Sequence, residues 1–284
     1  MTKYKESIMK AIFFAAACTS ILAVALICLF LFINGIPAMT KIGIFDFLMG
    51  TTWKPNNTPP SFGILPMILG SIYVTAGAAV IGVPIGILTA VFMAHYCPPK
   101  LYRILKPAIN LLAGIPSIVY GFFGLVVIVP FIRDTFGGDG NSMLAASILL
   151  GIMILPTIVG ISESAIRAIP QSYYEGALAL GASHERSIFF VILPAVKSGI
   201  MAAIVLGIGR AIGETMAVIM VAGNQARMPA GLLKGVRTLT ANIIIEMGYA
   251  AELHREALIA TSVVLFVFIL IINLLLSLLK RRTG

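Results

Sequence analysis

Two ionisable residues sit where ionisable residues are costly. Arg210 and Glu214 lie inside the apolar run 198–222, in the stretch Gly207-Ile-Gly-Arg210-Ala-Ile-Gly-Glu214-Thr-Met-Ala. An arginine at the centre of a membrane span costs roughly 2.5–3.5 kcal/mol on insertion scales, so such a residue is a functional candidate by default. A guanidinium fork stays charged and matches the oxygens of an oxyanion two at a time. Glu214 comes four residues later, on the same face of a continuous helix and within pairing reach. A carboxylate beside the guanidinium repels a fully ionised anion but accepts a hydrogen bond from a protonated oxygen. Phosphate near neutral pH keeps a proton; sulfate does not. The expectation is an anion site: Arg210 contacts the anion, Glu214 favours protonated oxyanions and Thr215 adds a hydroxyl. Gly207, Gly209 and Gly213 would let another helix approach closely. The alternative is a self-neutralised structural pair that holds two helices together.

The other reactive residues form no catalytic set. Glu163 and Arg167 have i,i+4 spacing at the inner end of the fourth apolar segment, which suits a helix-end ion pair better than a gate contact. His184 falls in a loop and reads as a surface histidine, and His95 sits at a membrane boundary. None of the three histidines has a metal-ligand companion at useful spacing. Ser117, after Pro116, either lines a path or bonds a neighbouring helix. No nucleophile–base arrangement suggests hydrolysis. No Gly-x4-Gly-Lys-Ser/Thr loop occurs, nor even a Gly-Lys pair. The chain therefore lacks the cradle and the lysine that hold ATP phosphates, and ATP must be handled by another polypeptide.

The elements that must hold these residues follow from composition. The 284 residues are 59% hydrophobic and 11% charged, with mean hydropathy +1.03. A soluble domain has about 25% charged residues. These charges are too few to coat a soluble surface, whereas a bilayer accepts one made of hydrocarbon. Six apolar segments stand out, at approximately 11–34, 66–95, 108–132, 143–168, 198–222 and 257–279. Helices are expected, because an open strand edge in lipid leaves backbone groups unpaired. Pro84, Pro116 and Pro156 fall inside spans, which favours a packed bundle around a path over six independent anchors. The run 11–33 is longer than the apolar core of a secretory signal, so it reads as a retained span. Cys18, Cys28 and Cys97 show no disulfide or metal spacing.

The net charge of +9 is spread between apolar runs and not gathered with aromatics, so lipid headgroups and topology explain it better than nucleic acid. With the N-terminus placed in the cytoplasm, the inner segments hold twelve of the 20 lysines and arginines and the outer segments seven. That excess puts both termini inside, and the tail Lys280-Arg281-Arg282 is its clearest signal. Long outer loops are expected at about 35–65 and 223–256. In the first, Trp53-Lys54-Pro55 and a run of Asn and Pro favour turns. Two readings stand level there: a docking surface for a partner outside, or an interfacial segment with Trp53 at the headgroups. The domain reading is 1–65 for the tail, first span and outer loop, then 66–280 for the transmembrane domain, with a cytoplasmic loop at 170–194.

That loop carries a specific pattern. Pro170 suits the first turn of a short helix and Gly181 its stop. Ala177, Leu178 and Leu180 make a compact knob, and Pro194 breaks the chain before the fifth span. Such a helix–Gly–helix hairpin can plug into a partner's groove. The sequence Glu175-Gly176-Ala177, three residues, Gly181, nine residues, then Val191-Ile192-Leu193-Pro194 resembles the EAA loop of bacterial ABC importer permeases. It departs from that pattern only at Gly176 for Ala and Val191 for Ile. In that family the loop is the coupling helix seated in a cleft of the ATPase subunit. The resemblance assigns ATPase coupling to Glu175, Gly176, Ala177, Gly181, Leu193 and Pro194.

The stretch from Gly209 to Asn224 resembles the phosphate-specific permeases of the PstC type. Further likeness lies at Trp53-Lys54-Pro55, at Gly114-Ile-Pro-Ser-Ile-Val-Tyr-Gly-Phe-Phe-Gly124, and at Thr240-Ala-Asn-Ile243 with Glu246-Met247-Gly248 and His254. It covers nearly all of the chain from about residue 53. It implies an all-α, polytopic, six-helix membrane protein with the type I ABC importer permease fold, in the bacterial inner membrane. It also implies a heterodimer with a PstA-type permease, two PstB-type ATPase copies that use ATP and Mg, and a PstS-type phosphate-binding protein. The chain itself would bind no cofactor. Rival readings are an importer for another oxyanion such as sulfate or molybdate, an ion-coupled secondary transporter, which often shows inverted repeats, and a non-transporting scaffold.

Overall fold

The computed structural model describes the backbone of residues 2–282 and the side chains of 5–275 and 278. Lys3, Lys280, Arg281 and Arg282, which weigh in the orientation reading, lie outside the described side chains. The chain is almost wholly helical. Helix α1 (Thr2–Ile42) leads through a short α2 (Ile44–Met49) to a hairpin of two-residue strands, β1 (Trp53–Lys54) and β2 (Ser61–Phe62), paired antiparallel with Trp53 opposite Phe62. Helix α3 (Leu65–Val91) ends in a π turn, Phe92–Tyr96, and α4 (Pro99–Gly114) follows. Helices α5 (Ser117–Phe123) and α6 (Val129–Phe136) are joined by a second π turn, and α7 is Met143–Arg167. The loop region holds α8 (Gln171–Ala179), α9 (His184–Ser187), a third π turn (Ile188–Ile192) and α10 (Leu193–Ala195). Then come α11 (Lys197–Gly213), α12 (Met216–Val221), α13 (Leu239–Met247) and α14 (Glu252–Arg282).

Five helical stretches are long and apolar enough to span a bilayer: Lys5–Ile42, Leu65–Tyr96, Ser117–Phe136, Met143–Arg167 and Glu252–Leu275. The pair His184–Ala195 and Lys197–Gly213, bent by 69°, makes a sixth when it is taken as one broken span. Six expected segments thus find counterparts, but two are cut differently. The segment 108–132 is not one helix. Pro116 pushes the preceding residue out of the helical region, and Ile115 is extended at φ −69°, ψ 128°. Residues on its near side belong to α4, which buries none of its residues. The segment 198–222 also breaks, at Glu214, with φ −71° and ψ 134°.

Helix α7 is the centre of the bundle. Its Leu149, Leu150, Met153, Ile154 and Ile158 are almost wholly buried. Helix α3 lies against it through glycines. A Cβ on Gly82 would come within 2.8 Å of the Gly151 carbonyl, and one on Gly86 within 2.7 Å of Ile158. With little hydrophobic drive between helices in lipid, such close approach supplies the packing. Gly207 on α11 does the same, 2.8 Å from Ile158, whereas Gly209 and Gly213 have no neighbour within 4 Å. Of the three glycines expected to admit a helix, only Gly207 does so within this chain. Helix α1 packs on α14, with Phe32 edge-on to Phe266 at 6.0 Å. The rest of α1 exposes Phe13, Phe14, Ile21 and Leu22, a surface suited to hydrocarbon.

Two smaller cores sit at opposite ends of the bundle. One holds Phe47, Trp53, Ile64, Met67, Leu239 and Leu258. The other holds Met93, Ile166, Ile188 and Ile192 and seats the loop.

Candidate functional site

Arg210 lies in the last turn of α11 and is half-buried. Its guanidinium makes no ion pair among the described residues. Its one hydrogen bond to another side chain there runs from Nη1 to Thr157 Oγ1 at 3.5 Å, long for such a bond. The Arg210–Glu214 contact that their spacing allows is absent for a plain reason. The i,i+4 relation needs a continuous helix, and α11 stops at Gly213. Glu214 turns away and caps the next helix. Its Oε1 accepts from the backbone N–H of Thr215 at 3.1 Å and of Ala217 at 3.3 Å. A carboxylate at a helix N-terminus is favourable because the free N–H groups and the helix dipole both attract it. Oε2 of Glu214 has no hydrogen bond among the described residues. Thr215 Oγ1 donates to the Gly213 carbonyl at 3.3 Å, and Thr240 Oγ1 donates to the Glu214 carbonyl at 3.1 Å. The break is thus held from both sides.

The structure therefore places Arg210, Glu214 and Thr215 together at one helix break. It does not make the first two a self-neutralised pair. Thr157, just after Pro156 on α7, was missed, because nothing in its own neighbourhood marks it as facing α11. Tyr120 was missed too; its hydroxyl donates to the Leu112 carbonyl at 2.8 Å and so bridges α5 to α4 across the Pro116 break. Ser117 starts α5 and is half-buried.

The loop folds as its punctuation predicts. Pro170 precedes α8, and Gly181 stops it at φ +84°, a conformation that favours glycine. Ala177 is buried at the base, Glu175 and Gly176 are exposed, and Leu180 at the tip is 92% exposed. Leu193 and Pro194 form α10, next to the bend at Val196. His184 is half-buried, not free on the surface: its Nδ1 lies 2.6 Å from the Tyr174 hydroxyl, which joins the two arms of the loop. From Lys197 to Arg210 is about 20 Å of helix at 1.5 Å per residue. Helix α11 thus links the loop directly to the break.

Two carboxylate clusters complete the picture. Glu163, 1% exposed, accepts from Arg167 Nε at 2.6 Å, from the Tyr102 hydroxyl at 2.7 Å and from Lys106. The predicted Glu163–Arg167 pair is there, but it recruits α4 as well. Arg167 also donates to the Met93 carbonyl at 2.7 Å. The Tyr102 hydroxyl is pushed above the ordinary tyrosine range, chiefly by donating to the Glu163 carboxylate. At the other end Glu246 accepts from Trp53 Nε1 at 2.8 Å, contacts His254 Nε2 at 2.8 Å and pairs with Arg237 Nη1 at 2.5 Å. Trp53 is 5% exposed, so its ring packs inside the protein and is not offered to headgroups. This cluster pins the β1–β2 hairpin to α13 and α14, a role its sequence did not disclose.

The comparisons agree with this architecture. The family model described as "Binding-protein-dependent transport system inner membrane component" matches residues 82–284. The "Probable ABC transporter permease protein YqgH" of Bacillus subtilis (strain 168) is 41% identical over 272 residues, covering 93% of this chain and 88% of that protein. The "Phosphate transport system permease protein PstC" of Mesorhizobium japonicum is 34% identical over 295 residues, covering 95% and 89%. Among solved structures, an inward-facing MetNI methionine ABC transporter matches with TM-score 0.63 at 22% identity, over 78% of this chain and 96% of that one. The likeness to MetNI concerns the fold alone. On the family match and the identity to its relatives, this multi-pass membrane chain belongs to the binding-protein-dependent transport system inner membrane component family.

Proposed function

We propose that the chain is a permease subunit of an ATP-driven importer of inorganic phosphate, of the PstC type. The observation that carries this reading is the guanidinium of Arg210 at a helix break, which makes no ion pair among the described residues. A half-buried cation without a carboxylate partner is placed to take an anion. Glu214 is tied to α12 through Oε1, and its Oε2 is left to accept from a protonated oxygen. That arrangement favours phosphate over sulfate. Thr157 and Thr215 bring hydroxyls to the same break. The likeness to proteins named as phosphate transport permeases supports the same substrate.

The exposed face of α8, with Glu175, Gly176 and Leu180, would dock on a separate ATPase, with both termini in the cytoplasm. ATP and Mg belong to that partner. A PstA-type permease, two PstB-type ATPase copies and a PstS-type binding protein complete the assembly in the inner membrane. ATP-driven closure of the ATPase pair pushes the loop, α11 transmits the push to the break at Glu214, and the path alternates between its two sides.

The test is ATP-dependent phosphate uptake by the whole complex in proteoliposomes, for the wild type and for Arg210→Ala, at equal assembly and with ATPase activity present in both. Uptake lost only in the variant supports the reading. A wild type that moves sulfate or molybdate but not phosphate keeps the permease and removes the substrate.

A further inference from the structure

The loop end of the chain holds a cavity that the transport reading does not use. Its volume is about 430 Å³. It lies where the π turn after α3, the end of α7, the start of α8 and the segment from α9 onward meet. His95, Arg167, Gln171, Tyr174 and His184 line it, against a wall of isoleucines. Arg167 and Gln171 bring N–H donors to it, and the Tyr174–His184 pair, whose hydroxyl and Nδ1 share one hydrogen bond, keeps one more. His95 Nε2 is buried with no partner, and a buried polar atom left unsatisfied costs about 1–3 kcal/mol. Glu163 takes both Lys106 and Arg167. Arg167, which lines the cavity, therefore shares its carboxylate with a second cation. An anion supplies what is missing on both counts, namely negative charge and acceptor oxygens. Among the described residues no group of three His, Cys, Asp or Glu side chains could hold a metal there.

We propose that this cavity binds a phosphate group on the cytoplasmic side, from free inorganic phosphate or from an anionic lipid headgroup. That the cavity faces the cytoplasm rests on the transport reading above. A group held there contacts the ends of α3 and α7 and both arms of the loop. It therefore braces the segment whose movement couples ATP to transport, and when free phosphate is the occupant the imported product restrains its own entry.

The test uses the assembled transporter in nanodiscs. It reads how fast diethyl pyrocarbonate modifies His184, by mass spectrometry, relative to a histidine peptide added to the same tube. In discs of phosphatidylcholine alone, inorganic phosphate at about 10 mM slows His184 about threefold if its Kd is about 5 mM. Sodium chloride of equal ionic strength does not. The same slowing in discs containing phosphatidylglycerol, with no phosphate added, assigns the site to lipid. His95→Leu removes whichever protection is seen, and Gln171→Leu weakens it. The rate at His254, at the far end of the chain, must stay at the wild-type value in both variants as the check on folding. No slowing in either lipid overturns the proposal, and so does slowing that survives both substitutions. Phosphate uptake by the wild type in proteoliposomes is a separate reading. If uptake is absent while His184 is protected, the importer fails and the anion site stands.

Discussion

Glu246 and Arg210 are both charged groups in a bundle of apolar helices, and their surroundings are opposite. Glu246 is 5% exposed and meets Arg237, His254 and Trp53. Arg210 is half-buried and, among the described residues, its guanidinium reaches only a threonine hydroxyl at 3.5 Å. The first group joins the β1–β2 hairpin to α13 and α14, and removing Glu246 takes one partner from Arg237, His254 and Trp53 at once. The second joins little and is left with donors to offer. The difference separates charges that hold the fold from charges that wait for a ligand. Glu163 is intermediate: its carboxylate is buried, but its cations Lys106 and Arg167 are 29% and 44% exposed.

Four substitutions test that separation. Glu246→Leu is expected to have the largest effect. It leaves Arg237 buried without its carboxylate, a loss of about 3–5 kcal/mol for a broken buried pair. Thermal melting of the purified chain should fall steeply, and adding Arg237→Met should recover part of it. A wild-type melt for Glu246→Leu would remove the cluster from the fold's foundations. Next comes Arg210→Ala. Uptake should drop by about a hundredfold, equivalent to about 2.7 kcal/mol, while melting shifts by less than about 1 kcal/mol. A large melting loss instead would show that Arg210 holds structure, and the contrast would collapse. Glu163→Gln should cost about 1–3 kcal/mol. Its cost falls short of that for Glu246 because the freed lysine and arginine reach water along their stems. Chemical denaturation of the two variants side by side checks that order. The smallest effect belongs to Lys41→Ala. Its partner Glu256 is 2.7 Å away, but the side chains are 56% and 40% exposed, and exposed pairs give about 0–1 kcal/mol.

Much of this molecule was legible in its residues. The apolar runs announced the crossings because burial in hydrocarbon depends on composition over about 20 residues. Pro170 and Gly181 announced α8 because each acts on its own backbone. Arg210 announced itself by standing in an apolar run. The contact that its spacing to Glu214 allowed does not form, because such spacing makes a contact only on an unbroken helix. Gly213-Glu214-Thr215 is where the helix breaks, held there by Thr240 from 26 residues away. For Trp53 the sequence left a docking surface and a headgroup anchor level, and its partner Glu246 lies 193 residues further on.

By itself, then, the sequence determined the apolar runs that cross, the shape of the loop and the presence of an arginine inside one of those runs. All three follow from hydrophobicity and backbone preference, which act over one residue to one span. Only the tertiary structure decided that Glu214 caps α12 and leaves Arg210 unpaired. It alone brought α4 to Glu163 and made Trp53 part of a buried cluster. Those outcomes depend on which helices close on which, through glycines such as Gly82 and Gly86 and through hydrogen bonds between distant segments.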